Sequence, residues 1–114
     1  MTYPTPRMIV DRQLIAYNAH DIDAYMALFA PDAVILDLQS GAEIVRGAEA
    51  IRAFYAARFR DHPDLRGEVF SSTDLGDFAI DREQVLGLPS GPLHLIAIYE
   101  VREGLIRSLR FIRR

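Results

Sequence analysis

Asp37 is the residue of this chain best suited to move a proton. It ends the apolar run Ala33-Val34-Ile35-Leu36 and is followed by Leu38. Apolar neighbours penalise a carboxylate's charge and raise its pKa, which suits a base that takes a proton from a carbon acid or from water. The alternative is a cap on the next turn, at Ser40 or Gly41. Gln13 lies inside the helical stripe of Val10, Leu14 and Tyr17, where a polar side chain must find a partner or face a cavity. Tyr55 offers a hydroxyl to a ligand or to Asp37. Tyr17, Tyr25, Met26, Phe29, Phe54 and Phe59 recur at helical spacing, so they read first as core and second as the wall of a pocket. Arg110 is in phase with Ile106, Ser108 and Ile112. It points either into the pocket mouth, toward Asp37 or an acidic ligand, or outward to Glu100 or Glu83. His94 reads as a surface or interface residue, and His20 and His62 as solvated turn residues. Three histidines without ligand spacing give no metal site, and no cofactor is expected. No Ser-His-Asp set and no glycine-rich phosphate loop is visible.

The elements that position these groups follow from periodicity. A first helix runs from Thr5 or Pro6 to about Ala19, with Pro6 in the first turn, where its missing amide costs nothing. Asp21 caps a second helix whose apolar face is Ile22, Tyr25, Met26 and Phe29, and Ala30-Pro31-Asp32 stops it. A strand from Ala33 to Leu38, a tight turn at 39–42 and a short strand from Glu43 to Arg46 lead to Gly47, which opens a third helix ending at His62-Pro63. From Leu65 the period becomes two. Four strands are expected, Leu65 to Asp74, Phe78 to Leu88, Leu93 to Arg102 and Leu105 to Arg113. Helices early and strands late give an α+β domain, a cone of three helices on a strongly curved, mainly antiparallel sheet. A cone of this size leaves a cavity at its wide end.

Composition narrows the function classes. The chain has 114 residues, one domain's worth, and half of them are hydrophobic. All 13 basic residues are arginine and the formal net charge is −3, which argues against nucleic acid as a partner. Cysteine is absent, so thiolate chemistry and a disulfide framework are excluded. No apolar run approaches the roughly 20 residues needed to span a bilayer. The opening Met-Thr-Tyr-Pro-Thr-Pro lacks the basic and apolar regions of a signal peptide, so a cytoplasmic location is expected.

The order of elements, with Asn18-x-x-Asp21-Ile22-Asp23, Leu28-Phe29-Ala30-x-Asp32-Ala33 and Gly47-x-x-Ala50-Ile51-Arg52-x-Phe54-Tyr55, resembles the NTF2-like superfamily, in particular its SnoaL-like and ketosteroid-isomerase-like members. The resemblance covers about residues 6 to 113. It implies that Asp37 is the proton-shuttling base and that Tyr55 supports an oxyanion hole. It also implies that the usual oxyanion tyrosine is replaced by Gln13, and that the usual protonated aspartate falls near Ile98. The expected function is a pocket for a small, mostly apolar or polycyclic molecule, with isomerase, cyclase or lyase-like chemistry. The alternative is a non-catalytic binding or accessory protein. Leu93, Leu95, Ala97, Tyr99 and Val101, with Leu109 and Phe111, are expected on the outer sheet face as the contact of a homodimer.

Overall fold

The computed structural model describes residues 2–114. Its elements are α1 (Pro6–Asn18), α2 (Ile22–Met26), β1 (Phe29–Asp37), β2 (Glu43–Arg46), α3 (Ala48–Asp61), β3 (Arg66–Leu75), β4 (Phe78–Leu86), β5 (Leu93–Arg102) and β6 (Leu105–Arg113). The six strands form one curved, unclosed sheet in the order β2-β1-β6-β5-β4-β3. Neighbours are antiparallel except β1 and β6, which run parallel. This is the α+β architecture expected from the sequence.

Local chemistry sets the helix starts. The Thr5 side chain accepts from the Met8 amide and Pro6 fills the first turn of α1. Asp21 accepts from the Ala24 amide at 3.1 Å and starts α2. That helix is shorter than its apolar spacing suggests, and β1 begins at Phe29 rather than Ala33. The reason is sheet pairing. The Leu28 carbonyl accepts from the Ile106 amide at 2.8 Å, and Phe29 aligns with Ile106. Pro31 sits in the break of register between Phe29 and Val34, where no ladder donor is required.

The alternation along β5 and β6 is as expected, but the two faces are exchanged. Leu95, Ala97, Tyr99, Val101 and Leu109 are buried beneath the helices. His94 and Ile96 are exposed, and Ile98 and Glu100 lie in phase with them on the outer face. The cause is that the stripe without a charge is the one that meets the apolar helix faces, Ile9, Val10, Ile51, Tyr55 and Phe59. Ile98 pairs in register with Arg110, so both belong to the outer face and neither enters the interior. Arg110 donates instead to the Ser108 hydroxyl at 3.1 Å.

α1 is fastened to the sheet at its last residue. Asn18 donates through Nδ2 to the Gly67 carbonyl at 3.1 Å and accepts the Gly67 amide on Oδ1 at 2.8 Å. Gly67 is needed for this close approach, since a Cβ there would lie 3.2 Å from Leu14 Cδ1. Asn18→Ala leaves both Gly67 groups unpaired in a half-buried place. We expect it to lower stability by about 1–3 kcal/mol, read as a lower urea midpoint at unchanged m value.

Candidate functional site

Between the helices and the inner sheet face lies a hollow. It is lined from α1 by Gln13, Leu14 and Tyr17, from α2 by Tyr25, from α3 by Phe54, Tyr55 and Arg58, and from the sheet by residues that include Ile35, Glu83, Leu95, Tyr99, Leu109 and Arg113. Its volume is about 650 Å3, including the part open to solvent. That is room for a small flat molecule, or for one end of a larger one. Exposure separates floor from rim. Tyr25, Ile35, Glu83, Tyr99 and Leu109 are buried, whereas Phe54 and Arg113 are exposed and Arg58 is half-buried.

Five of the residues singled out from sequence meet here: Gln13, Tyr17, Tyr25, Phe54 and Tyr55. Met26, Phe29 and Phe59 are buried in the core beside the hollow rather than along its wall. Phe59 packs edge-on against Tyr17, with centroids 5.5 Å apart, and stacks on the His20 ring at 5.0 Å. His20 also bonds the Leu65 carbonyl through Nε2 at 2.8 Å, so it is a packed residue and not a solvated one.

Asp37 is not in the hollow. Its carboxylate accepts from the Ser40 amide at 3.0 Å and from the Ser40 hydroxyl at 2.6 Å, closing the turn into β2. These bonds hold its carboxyl below the usual range, the opposite of what a base in an apolar pocket requires. The turn wins because Ser40 offers two donors three residues away, at no cost in burial. The expectation of a pocket base at Asp37 is therefore corrected to a turn cap.

The carboxylate that does face the hollow is Glu83 on β4. Only 9% of it is exposed. Among the described residues it has no ion-pair partner and no hydrogen bond from a protein donor, and burial, reinforced by the charge of Asp81, pushes its pKa up to about 8. Asp81, two residues before it on the same face, is buried too but fully partnered. It pairs with Arg7 Nη1 at 2.9 Å and accepts from the Ser72 hydroxyl at 2.8 Å. Arg7 is shared with Asp74, at 2.7 Å. One strand thus presents two carboxylates in opposite environments, one neutralised by an ion pair and one left alone in an apolar wall.

Around Glu83 stand polar donors on an aromatic scaffold. The Tyr99 hydroxyl donates to Gln13 Oε1 at 3.2 Å, which orients the Gln13 amide and leaves its Nε2 hydrogens without a protein acceptor among the described residues. The Tyr25 and Tyr55 rings lie 4.9 Å apart, and the two hydroxyls influence each other. Burial is the dominant influence on both and moves them up. The charges of Arg58, Glu83 and Arg113 all reach Tyr55. Among the described residues no three His, Asp or Glu side chains gather as a metal site.

Sequence reasoning missed Glu83, Arg58, Arg113 and Tyr99 as site residues. The signal for Glu83 was present. Ala79, Asp81, Glu83 and Val85 share one face of β4, and the register sets Asp81 opposite Ala97 and Glu83 opposite Leu95, on the uncharged stripe of β5.

With this geometry in hand, known proteins can be compared. A family model described as SnoaL-like domain matches residues 10–109. A candidate polyketide cyclase from Sinorhizobium meliloti is 32% identical, with 92% of this chain and 94% of that one covered and a TM-score of 0.79. An uncharacterized cystatin-fold protein from Novosphingobium aromaticivorans is 25% identical over 96% of this chain and 99% of that one, with a TM-score of 0.90. A candidate ketosteroid isomerase from Kribbella flavida shares the fold at 18% identity, covering 96% of this chain and 77% of that one, with a TM-score of 0.80.

The raised Glu83 pKa has a consequence for stability. An unfolded glutamate titrates near 4.5 and the folded one near 8. Between those values the folded chain holds a proton that the unfolded chain has released, so stability falls as pH rises through the window and levels off above it. Glu83→Gln removes that loss. The variant should match wild type at pH 4 and exceed it at pH 9 by on the order of 5 kcal/mol in urea unfolding. A gap that does not change with pH would show that Glu83 is not the titrating group.

Proposed function

This chain belongs to the SnoaL-like domain family, and we propose that it transfers a proton within a small, mostly apolar carbonyl compound, as an isomerase, cyclase or lyase-like enzyme. The observation that carries this reading is Glu83, an unpaired carboxylate in an otherwise apolar floor with a pKa near 8. A group balanced near neutral pH can both take and return a proton. Ionised Glu83 removes the hydrogen from the carbon next to the carbonyl. The electron pair moves onto oxygen, and the enolate receives hydrogen bonds from Gln13 Nε2 and the Tyr55 hydroxyl. The protonated Glu83 then returns the hydrogen to carbon, or the enolate carbon closes onto a second carbonyl of the same molecule, whose π electrons move onto its oxygen, and Glu83 gives the proton to that alkoxide. Gln13 and Tyr55 thus keep the roles that the resemblance gave them, and the base moves from the end of β1 to the middle of β4. The cyclase neighbour favours the ring-closing form, since a polyketide chain is a carbon acid beside further carbonyls.

We further propose that two copies associate across the outer sheet face. Phe78, Ile80, Ile96 and Ile98 sit side by side there, with Glu100, Arg82 and Arg110 among them, a mixture of apolar and oppositely charged groups that suits a self-complementary two-fold contact. Gel filtration should give twice the chain mass of 12.9 kDa, and Ile96→Asp should shift it to the single mass.

Deuterium uptake tests the chemical reading. Wild type should accelerate exchange of the C–H next to the carbonyl of a weakly acidic aryl ketone, 2-tetralone, in D2O. Glu83→Gln should lower that rate by about 100-fold or more, while Asp37→Asn leaves it unchanged. Loss of exchange in Asp37→Asn with full activity in Glu83→Gln would overturn the assignment. Binding without exchange in wild type would point to the accessory binder instead.

A further inference from the structure

Two guanidinium groups line the rim of the hollow, and among the described residues neither forms an ion pair, although the charge of Arg113 is felt at Asp37. Arg58 is half-buried, its guanidinium 5.7 Å from the centre of the Phe54 ring and close enough to the Tyr17 hydroxyl for its charge to be felt there. Arg113 comes from the opposite wall, at the end of β6. Arg7, Arg46, Arg52, Arg60 and Arg102 have carboxylate partners. Among the described residues the other eight arginines form no ion pair, and Arg58 and Arg113 are the two of those eight that line the hollow. Glu83 lies on the floor, and neither arginine compensates its charge. Both guanidinium charges are felt at the Tyr55 hydroxyl, as is that of Glu83, and all four residues line the same hollow.

Resting on the reading of this hollow as a small-molecule site, we propose that its ligand is an acid, a flat apolar body bearing a carboxylate that seats between Arg58 and Arg113 and leaves the rest of the molecule against Glu83. A planar guanidinium matches a carboxylate with two parallel hydrogen bonds, and such pairs are both stronger and more selective than neutral ones. A neutral ligand would cover two cations without replacing the water it displaces. The one anion in the wall that could repel a carboxylate is Glu83. The charged and titratable groups that face it are Asp81 on its own strand, Tyr99 on β5, Tyr17 on α1, Tyr55 and Arg58 on α3, and Arg113 on β6. Below its titration Glu83 is neutral, and the rim charge dominates the hollow. Above it the acid meets like charge and binds more weakly.

The test compares benzoate and 2-naphthoate with benzamide and 2-naphthamide by titration calorimetry on the full chain at pH 6.5. The acids should bind at least tenfold more tightly than the amides of the same shape. Arg58→Gln and Arg113→Gln should each remove most of that preference while changing amide affinity less than twofold. Arg58→Lys, which keeps the charge and loses the fork, should retain part of it. Arg107→Gln, whose side chain bonds the Arg102 carbonyl, should change nothing. Raising the pH to 9 should weaken acid binding in wild type and not in Glu83→Gln. Equal binding of acids and amides, or an equal loss in Arg107→Gln, overturns the proposal. If the amides bind and deuterium exchange persists, the proton-transfer reading stands while this one falls. If Glu83→Gln retains exchange but acids still need Arg58, the reverse holds.

Discussion

Leaving a carboxylate unpaired in an apolar wall is unfavourable, and this chain does so once while taking care to avoid it two residues away. Asp81 and Glu83 occupy the same face of β4, and both are buried. Asp81 is stabilised by Arg7 and Ser72, and its charge then adds to the burial of Glu83. The two effects act in the same direction on Glu83. Burial makes its ionised form costly, and a fixed neighbouring anion makes it more so. A glutamate that is mostly protonated at neutral pH is the result.

This arrangement hangs on α1. The helix brings Arg7 to Asp81 at its first turn, Gln13 to Tyr99 at its centre, and Asn18 to Gly67 at its end. All three attachments lie on the face turned to the sheet, where Ile9, Val10 and Tyr17 supply the apolar contact. A displacement of α1 would therefore alter the Asp81 ion pair and the aim of the Gln13 amide together. Stability and the electrostatics of the site share the same residues, so substitutions along α1 that spare the hollow can still change its titration.

Much of the fold was legible because it rests on period and punctuation. Pro6, Asp21 and Gly47 mark the helix starts, and Gly76, Gly91 and Gly104 mark the hairpins, each with a positive φ in the structure. What periodicity cannot say is which of two alternating faces turns inward. On β5 one stripe is Leu95, Ala97, Tyr99 and Val101, and the other is His94, Ile96, Ile98 and Glu100. Both are apolar enough to be buried against something. Placing the first outward moved Ile98 and Arg110 into the imagined pocket and kept Glu83 and Tyr99 out of it. The decision lay in pairing rather than in composition, for Glu83 and Asp81 cross the sheet from Leu95 and Ala97.

Asp37 shows the complementary difficulty. A single acidic residue at the end of an apolar strand fits two structures equally well, because the same carboxylate can face a cavity or turn back on the chain. The outcome depends on what the next three residues offer. Ser40 supplies both a backbone and a hydroxyl donor, and Gly41, at φ 76°, lets the chain reverse so that both reach the carboxylate. Two local donors need no tertiary cooperation, whereas a buried base needs an entire wall to be built around it. In this chain the wall is built around β4 instead, where the flanking residues Arg82 and Gln84 point outward and offer Glu83 no such escape.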